Sequence, residues 1–435
     1  MSPALVLATA ALAAIAAPDS AARAITLDEA LALASRNATQ IVSALGDRRN
    51  AAAGVRSAVA AFIPSLSFTA GDTRQLPAGG ARTRIDANGQ VITLPNEPWS
   101  YNAGLGASLQ LFDGGNRFFA LSQAHSRARV AAAGETTQRF AVALAVKQSF
   151  YDVLAARESE AAAAAQVDQA RQQLRTSILR LQAHAVTRSD SLRSEILLRQ
   201  AQLAVTTARA ALAAASATLT RVVGLDEPIT AAPDSGAAPA LTVDAATLAA
   251  LVEEGPAVTS AAAALDAARA ARRSAWTTYL PSVSASYSRS GSGTGTTLLP
   301  PAGAFDYSGS LRLSLSFPIF DQLQREGRLI AAEVAEDDAA AELRDARLAA
   351  RASLVQSLGD FRTAEERVAS QTATLEAAGE DLRVQQQRYA VGGSTLLDVL
   401  TSQSQVDQAR HDLIRARYDL RIAHAQLEAL VGRKL

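Results

Sequence analysis

The sequence predicts a mainly α-helical chain with some β-structure, built from two long helical hairpins of equal length, each preceded by a pair of strands. Three observations carry this. A heptad seam fills the last forty residues, the same stretch occurs earlier at a constant shift, and four segments alternate strictly between apolar and polar residues.

The C-terminal seam opens with Val391-Gly392-Gly393-Ser394-Thr395. Val399, Val406, Ala409, Leu413, Ala416, Leu420, Ala423, Leu427 and Leu430 then follow at alternating steps of three and four, with Ser402 the polar member of the series. This spacing lets one helix lie along another in a left-handed supercoil. One series is large and the other is alanine, which suits close packing. A shift of 208 residues reproduces the seam as Leu198, Ala201, Val205, Ala208, Leu212, Ala215, Leu219 and Val222. Ser194 then matches Ser402, Asp190 matches Asp398, and Thr187 matches Thr395. The same shift relates Phe112-Asp113 to Phe320-Asp321 and Arg117 to Arg325. An ungapped shift means an internal duplication.

Zero net charge and the lack of a basic tract argue against nucleic acid as a partner. The chain has no cysteine, which excludes disulfides, thiol chemistry and thiolate metal sites. Residues 1–24 read as a signal peptide. The apolar run Ala4 to Ala17 is too short to cross a bilayer, and Pro18 and small residues follow, with cleavage expected between Ala17 and Ile25. No positive residue precedes the run, so an ordinary apolar helix start is the alternative. No later segment reaches ~18 consecutive apolar residues.

Residues 25–224 form the first expected repeat. Ile25 to Ala61 is helical in pattern, with Thr26 as N-cap and Asp28 and Glu29 in the first turn, where the helix dipole favours acids. Pro64 ends it. Leu66, Phe68 and Ala70 then alternate with Ser65, Ser67 and Thr69, a strand over about 64–72. Residues 71–98, rich in Gly, Pro, Asn and Asp, read as an exposed loop. A second strand over 100–112 puts Tyr101, Ala103, Leu105, Ala107, Leu109 and Leu111 on one face and Asn102, Gly104, Gly106, Ser108 and Gln110 on the other. Residues 116–183 are good helix formers interrupted only by Gly134. At ~1.5 Å per residue they make a rod of roughly 100 Å, longer than an ordinary globular core requires. The chain reverses near 184–189, and the seam helix completes a hairpin over 116–224.

A Pro, Ala and Asp linker at 225–240 leads to the second repeat, 241–432. Leu241-Thr242-Val243-Asp244 echoes Ile25-Thr26-Leu27-Asp28, and Tyr279-Leu280-Pro281-Ser282 echoes Phe62-Ile63-Pro64-Ser65. Strands are expected at 281–289 and 306–320 around a Gly/Ser/Thr loop at 289–305, followed by a hairpin over 322–432.

The four strands have lengths near the ~9–11 residues that cross a bilayer when tilted. They fit either a small sheet packed on helices or part of a membrane barrel. Small hydroxylic polar faces suit a water-filled lumen. Phe62, Phe112, Trp276, Tyr279, Phe317 and Phe320 would lie at the helix-side end and Trp99, Tyr101 and Tyr307 at the far end, as two aromatic girdles. Four strands cannot close a barrel, and open edges are not tolerated in lipid. Two copies would give eight strands with a filled interior; three would give twelve and leave a channel.

The order of these motifs, from Leu111-Phe112-Asp113-Gly114-Gly115 to Val391-Gly392-Gly393-Ser394-Thr395-Leu396-Leu397-Asp398-Val399-Leu400, resembles the TolC outer-membrane efflux family over about residues 25–432. The resemblance implies a homotrimer with a twelve-stranded β-barrel in outer-membrane lipid and a long periplasmic α-barrel. It implies a passive exit duct in a tripartite efflux or type I secretion system, docked to a periplasmic adaptor (membrane fusion) protein and, through it, to an inner-membrane pump. Carried onto this chain, the closed-tip aspartate falls on Asp398, with Asp190 its counterpart. Facing carboxylates in a narrow tip repel one another, filter for cations and can bind divalent ions. The same residues also read as N-caps of the returning helices. Adaptor contact is implied for Ala185, Val186, Thr187, Val391, Gly392 and Gly393. Two departures stand out. His184 occupies the position of Gly392, and Thr401 stands where some members have a second acidic ring.

No catalytic constellation is present. His125, His184, His411 and His424 show no ligand spacing. Gly291, Gly293 and Gly295 lie in a Ser/Thr loop with no helix after it, and no Ser/His/Asp arrangement is found. Asp337-Asp338 and Glu365-Glu366 read as solvated helix faces. The expectation is a duct, not an enzyme, with no cofactor. A non-pore periplasmic coiled-coil scaffold is the rival; an adaptor would carry one hairpin between lipoyl-like and barrel modules.

Overall fold

The computed structural model describes residues 22–76, 82–85, 87–94, 97–184, 187–233, 241, 243–301 and 303–435. The expected signal peptide lies outside them except for residues 22–24. The described residues fall into two compact units: those up to 47, within 132–260 and 344–435 form the first, and those within 48–131 and 261–343 the second. The helices are α1 (Leu27–Asn37), α2 (Thr39–Ala60), α3 (Asn116–Gln182), α4 (Arg188–Val223), α5 (Ala245–Glu253), α6 (Pro256–Trp276), α7 (Gln324–Ala390) and α8 (Leu396–Val431). Both α3 and α7 have 67 residues, and both α4 and α8 have 36. The strands are β1 (Arg23–Ile25), β2 (Ser65–Arg74), β3 (Arg82–Ile85), β4 (Val91–Leu94), β5 (Trp99–Phe112), β6 (Ile229–Ala231), β7 (Ser282–Gly295) and β8 (Asp306–Ser316).

In the first unit, Thr26 caps α1 by accepting from the Glu29 amide at 3.3 Å. The single helix expected over 25–61 is instead broken at Ala38, whose ψ of 128° is extended. Gly224, at φ 79°, fits against this break; a Cβ there would lie 2.9 Å from the Asn37 carbonyl oxygen. The start of the expected linker is structured, because β6 pairs in parallel with β1, Ala24 facing Thr230. Around this pair Ile25, Ile41, Val146, Phe150, Val153, Leu219, Val223 and Ile229 form a closed core.

The heptad seams are the buried faces. Ser402, Val406, Ala409, Leu413, Ala416, Leu420, Ala423 and Leu427 of α8 are all buried. The seam serine hydroxyls bridge within each hairpin: Ser194 lies 2.9 Å from Ser177, and Ser402 donates to Asp381. On its other side α8 meets α3. Gln166 donates to Asp407 at 2.8 Å, and the Tyr418 hydroxyl donates to Glu158 at 2.6 Å. Lys147 pairs with Glu428. Contacts on both sides explain why α8 is more buried than α4. By length and average apolarity α4 and the stretch Ala245–Tyr279 would suit a membrane span, but in α4 that average comes from alanine, and charges such as Arg193, Arg199 and Arg209 interrupt it.

In the second unit β2, β5, β7 and β8 form one antiparallel sheet in that order. Strands β3 and β4 form a separate hairpin inside the stretch expected to be a loop. Strand β7 reaches Gly295, six residues into the expected 289–305 loop, because β5 pairs with it throughout, Trp99 facing Gly295. Backbone pairing here overrides the weak strand preference of Ser and Gly. Strand β8 stops at Ser316, short of the expected 320. Pro318 has no amide to continue a ladder.

Candidate functional site

The register aligns the four strands row by row. Phe68 faces Leu105, Leu66 faces Ala107, Ala107 faces Tyr287, and Tyr287 faces Leu311. The opposite face runs Ser67, Gly106, Ser288, Ser310 and Thr69, Gly104, Ser290, Ser308. Among the described residues no helix covers the apolar face: Leu66 is 75% exposed and Leu311 79%. The alternative of a small sheet packed on helices would bury these residues. Strands β2 and β8 are each paired on one side only.

The register also sorts the aromatics. Phe62, Phe112, Trp276, Tyr279, Phe317 and Phe320 lie at the end where α2, α3, α6 and α7 join the sheet. Trp99 and Tyr307 lie at the other. Tyr101 departs from its expected place in an exposed girdle. It is 1% exposed, its hydroxyl donates to the Thr297 carbonyl, and its ring meets Phe305. The connection between β7 and β8 folds over it, which a strand dyad cannot foretell.

Each strand-to-helix junction repeats one cluster. Asp113 accepts from the Arg117 amide at 3.0 Å and its guanidinium at 3.2 Å, and Arg117 also donates to the Leu111 carbonyl at 3.2 Å. Its guanidinium lies over the Phe62 ring. Asp321 and Arg325 do the same with the Ile319 carbonyl and the Tyr279 ring. The Gly114 and Gly115 backbones supply the left-handed turn at the first junction; Gln322 and Leu323 take positive φ at the second.

At the other end of the hairpins the starts of α4 and α8 share one geometry. Thr395 is the N-cap of α8. Its amide and hydroxyl donate to the Asp398 carboxylate at 2.8 and 2.7 Å, and the Asp398 amide returns a bond at 3.3 Å. Thr187 and Asp190 form the same box at 3.0, 2.8 and 3.3 Å. The threonines are therefore the caps, and the aspartates, expected as N-caps, sit at the third helical position and reach back, as the reciprocal box requires. Backbone donation first, then the Thr395 hydroxyl, holds the Asp398 carboxyl below its ordinary 3.8. The box thus contributes fully above that value and loses strength as pH falls through the depressed one. Thr401 donates to the Leu397 carbonyl at 2.9 Å and is exposed. Val391, Gly392 and Gly393 form the second turn; Ala185 and Val186 lie outside the described residues. In hydrogen bonding the aspartates serve their own turns.

His184 adopts φ 55° where Gly392 adopts 78°. The left-handed conformation is strained for a residue with a Cβ. His184→Gly is therefore expected to stabilise the chain by about 1 kcal/mol, read as a rise in melting temperature; a fall would mean the imidazole makes a contact worth more than the strain.

Sequence reasoning missed the links between the two hairpins. The Arg180 guanidinium lies 4.9 Å from the Tyr389 ring centre, joining α3 to α7. A cleft of about 810 Å³ between α3, α4 and α8 is lined by Ala162, Gln166, Gln169, Leu203, Gln403 and Asp407. Burial raises the Asp407 carboxyl pKa, against hydrogen bonds from Gln403 and Gln166. No spacing rule marks the Arg180–Tyr389 and Gln166–Asp407 contacts, because their members are more than two hundred positions apart.

The geometry agrees with what known proteins show. The family model described as outer membrane efflux protein matches residues 30–225 and 248–433. Protein CyaE of Bordetella pertussis is 27% identical over 385 residues, spanning 86% of this chain and 77% of its own. Among solved structures, CusC aligns with a TM-score of 0.79 at 16% identity, covering 94% of this chain and 92% of that one. The Campylobacter jejuni CmeC outer membrane channel aligns at 0.77 and 16%, covering 93% and 85%. Such identities establish a shared fold, and the family match spans both halves of the chain. The chain belongs to the outer membrane efflux protein family and is a transport channel component, not an enzyme.

Proposed function

We infer that three copies close the sheet into a twelve-stranded barrel in outer-membrane lipid, above a periplasmic tube of six hairpins. Residues 25–224 and 241–432 are the two repeats of one ancestral unit. The duct is passive. Its turns dock a periplasmic adaptor, which links it to an inner-membrane pump in an efflux or type I secretion assembly.

The observation that carries this reading is the uncovered apolar face with two open edges. Such a sheet is stable in lipid only when its edges are paired. Twelve strands fit better than eight. An eight-stranded interior has to be filled by side chains, and this polar face offers mostly Ser, Gly and Thr. A non-pore scaffold would leave the apolar face in water.

The protein extracted in mild detergent from purified outer membranes is expected to have the mass of three chains. A soluble monomer absent from that fraction would end the duct reading. If Asp398 lines a closed tip, Asp398→Arg is expected to raise single-channel conductance severalfold and reverse a cation preference in planar bilayers. Unchanged values would remove Asp398 from the gate.

A further inference from the structure

The apolar face of the sheet carries a charge in the middle of its greasy rows. Arg289 of β7 faces Leu105 on one side and Gly309 on the other, in the row that Phe68 begins. Among the described residues of the four strands it is the only charged group on this face between the helix-side end and the row of Tyr307; Asp72 and Arg74 stand beyond that row. Arg289 is exposed and has no ion-pair partner among the described residues. A lone cation on a surface turned toward lipid is costly at mid-depth and cheap only near the headgroups, so it calls for an anion.

Its surroundings hold the guanidinium in one pose. It lies over the Tyr307 ring, 5.6 Å from the ring centre. Tyr307 faces Gly291, one row nearer the far end of the sheet, and its ring fills the space above that glycine: a Cβ there would lie 2.7 Å from two ring carbons. Phe305 stacks on the same ring at 5.8 Å and 28°. Arg289 thus reaches toward the far aromatic girdle, as a side chain does when it snorkels to the headgroups. Across the row Gly309 has no side chain, and the Tyr287 hydroxyl comes within 3.7 Å of where its Cβ would stand. A planar cation and a phenol hydroxyl border one bare patch of backbone.

Resting on the barrel reading above, we propose that Arg289, with Tyr287 and Tyr307, binds the phosphorylated headgroup of an outer-leaflet lipid on the outside of the barrel, one per chain. A guanidinium donates two parallel hydrogen bonds to a phosphate, and stacking on a ring leaves the donors at its edge free. Tyr287 supplies a further O–H donor. Leu105, Phe68 and Leu311 beside the site belong to the apolar face that acyl chains cover, so the occupant carries both a phosphate and a hydrocarbon tail.

The test uses the full-length protein extracted in mild detergent from outer membranes, stripped of lipid and titrated with bisphosphorylated lipid A under native mass spectrometry. The expected result is one lipid A per chain. Apparent affinity should fall about tenfold in Arg289→Leu, the worth of a hydrogen-bonded charge contact, and severalfold in Tyr307→Leu, which removes the ring that orients the guanidinium. Arg312→Leu, on the same sheet but on the polar face opposite Ser286, should leave binding unchanged. Full affinity in Arg289→Leu, or in Tyr307→Leu should only that variant assemble, would overturn the proposal. So would equal binding of lipid A lacking its phosphates, an equal loss in Arg312→Leu, or displacement by inorganic phosphate at concentrations comparable to the lipid, which would mark a site for the free ion. A trimer that binds no lipid A sinks this proposal alone, whereas a chain absent from outer membranes sinks the barrel reading with it.

Discussion

Leu413→Asp is expected to keep the second hairpin from closing and to remove the assembled protein from the outer membrane. Leu413 is buried midway along α8, with Ala409 and Ala416 of the same seam on either side. Losing its apolar volume costs about 2–5 kcal/mol, and placing a carboxylate there adds a desolvation penalty of a few kcal/mol more. Their sum rivals the whole stability of an ordinary domain, about 5–15 kcal/mol. The equivalent residue of the first hairpin, Val205, is only half-buried in the chain. Val205→Asp should therefore be milder. Circular dichroism and the yield of heat-resistant oligomer would rank the two; equal effects would mean that burial within one chain does not set the cost.

Lys147→Met should be nearly as damaging, for an electrostatic reason. Lys147 and Glu428 are mostly buried and paired across α3 and α8. Next to them, burial pushes the His424 imidazole below its ordinary 6.5, opposed by Glu428. A neutral imidazole leaves Lys147 as the cation that balances Glu428. Removing it strands a carboxylate, a loss of about 3–5 kcal/mol. Replacing both residues, Lys147→Met with Glu428→Leu, should recover most of that, since a well-packed apolar pair can match a buried ion pair. Urea unfolding of the single and double variants decides: a double variant as weak as the single one would show that the pair contributes shape rather than charge.

Much of this architecture was legible in the sequence, for identifiable reasons. The heptad seams and strand dyads are local periodicities, and each names the face it buries or bares. Residues 116–182 and 324–390 could be read as long helices because almost nothing in them breaks a helix. The equivalence of Thr187 with Thr395 and of Asp190 with Asp398 was visible in the constant shift, but that the threonines cap and the aspartates reach back depends on backbone geometry that spacing does not fix. Illegible were features set by distant neighbours. Ser290 to Gly295 extend β7 only because β5 lies beside them, and Tyr101 is covered only because the 297–305 connection crosses it. The networks of Asp407 and Lys147 join residues far apart in the chain.

The central pairing of the sheet has a kinetic consequence. Leu105 of β5 faces Arg289 of β7, and the whole first hairpin lies between them in the chain. Helical hairpins close through short loops and local contacts, whereas a ladder joining such distant residues must first overcome the entropy of closing a very long loop. The hairpins therefore form early and the sheet late. The greasy surface is assembled last, after the water-soluble scaffold that carries it, which shortens the time in which sticky strands are loose and free to aggregate.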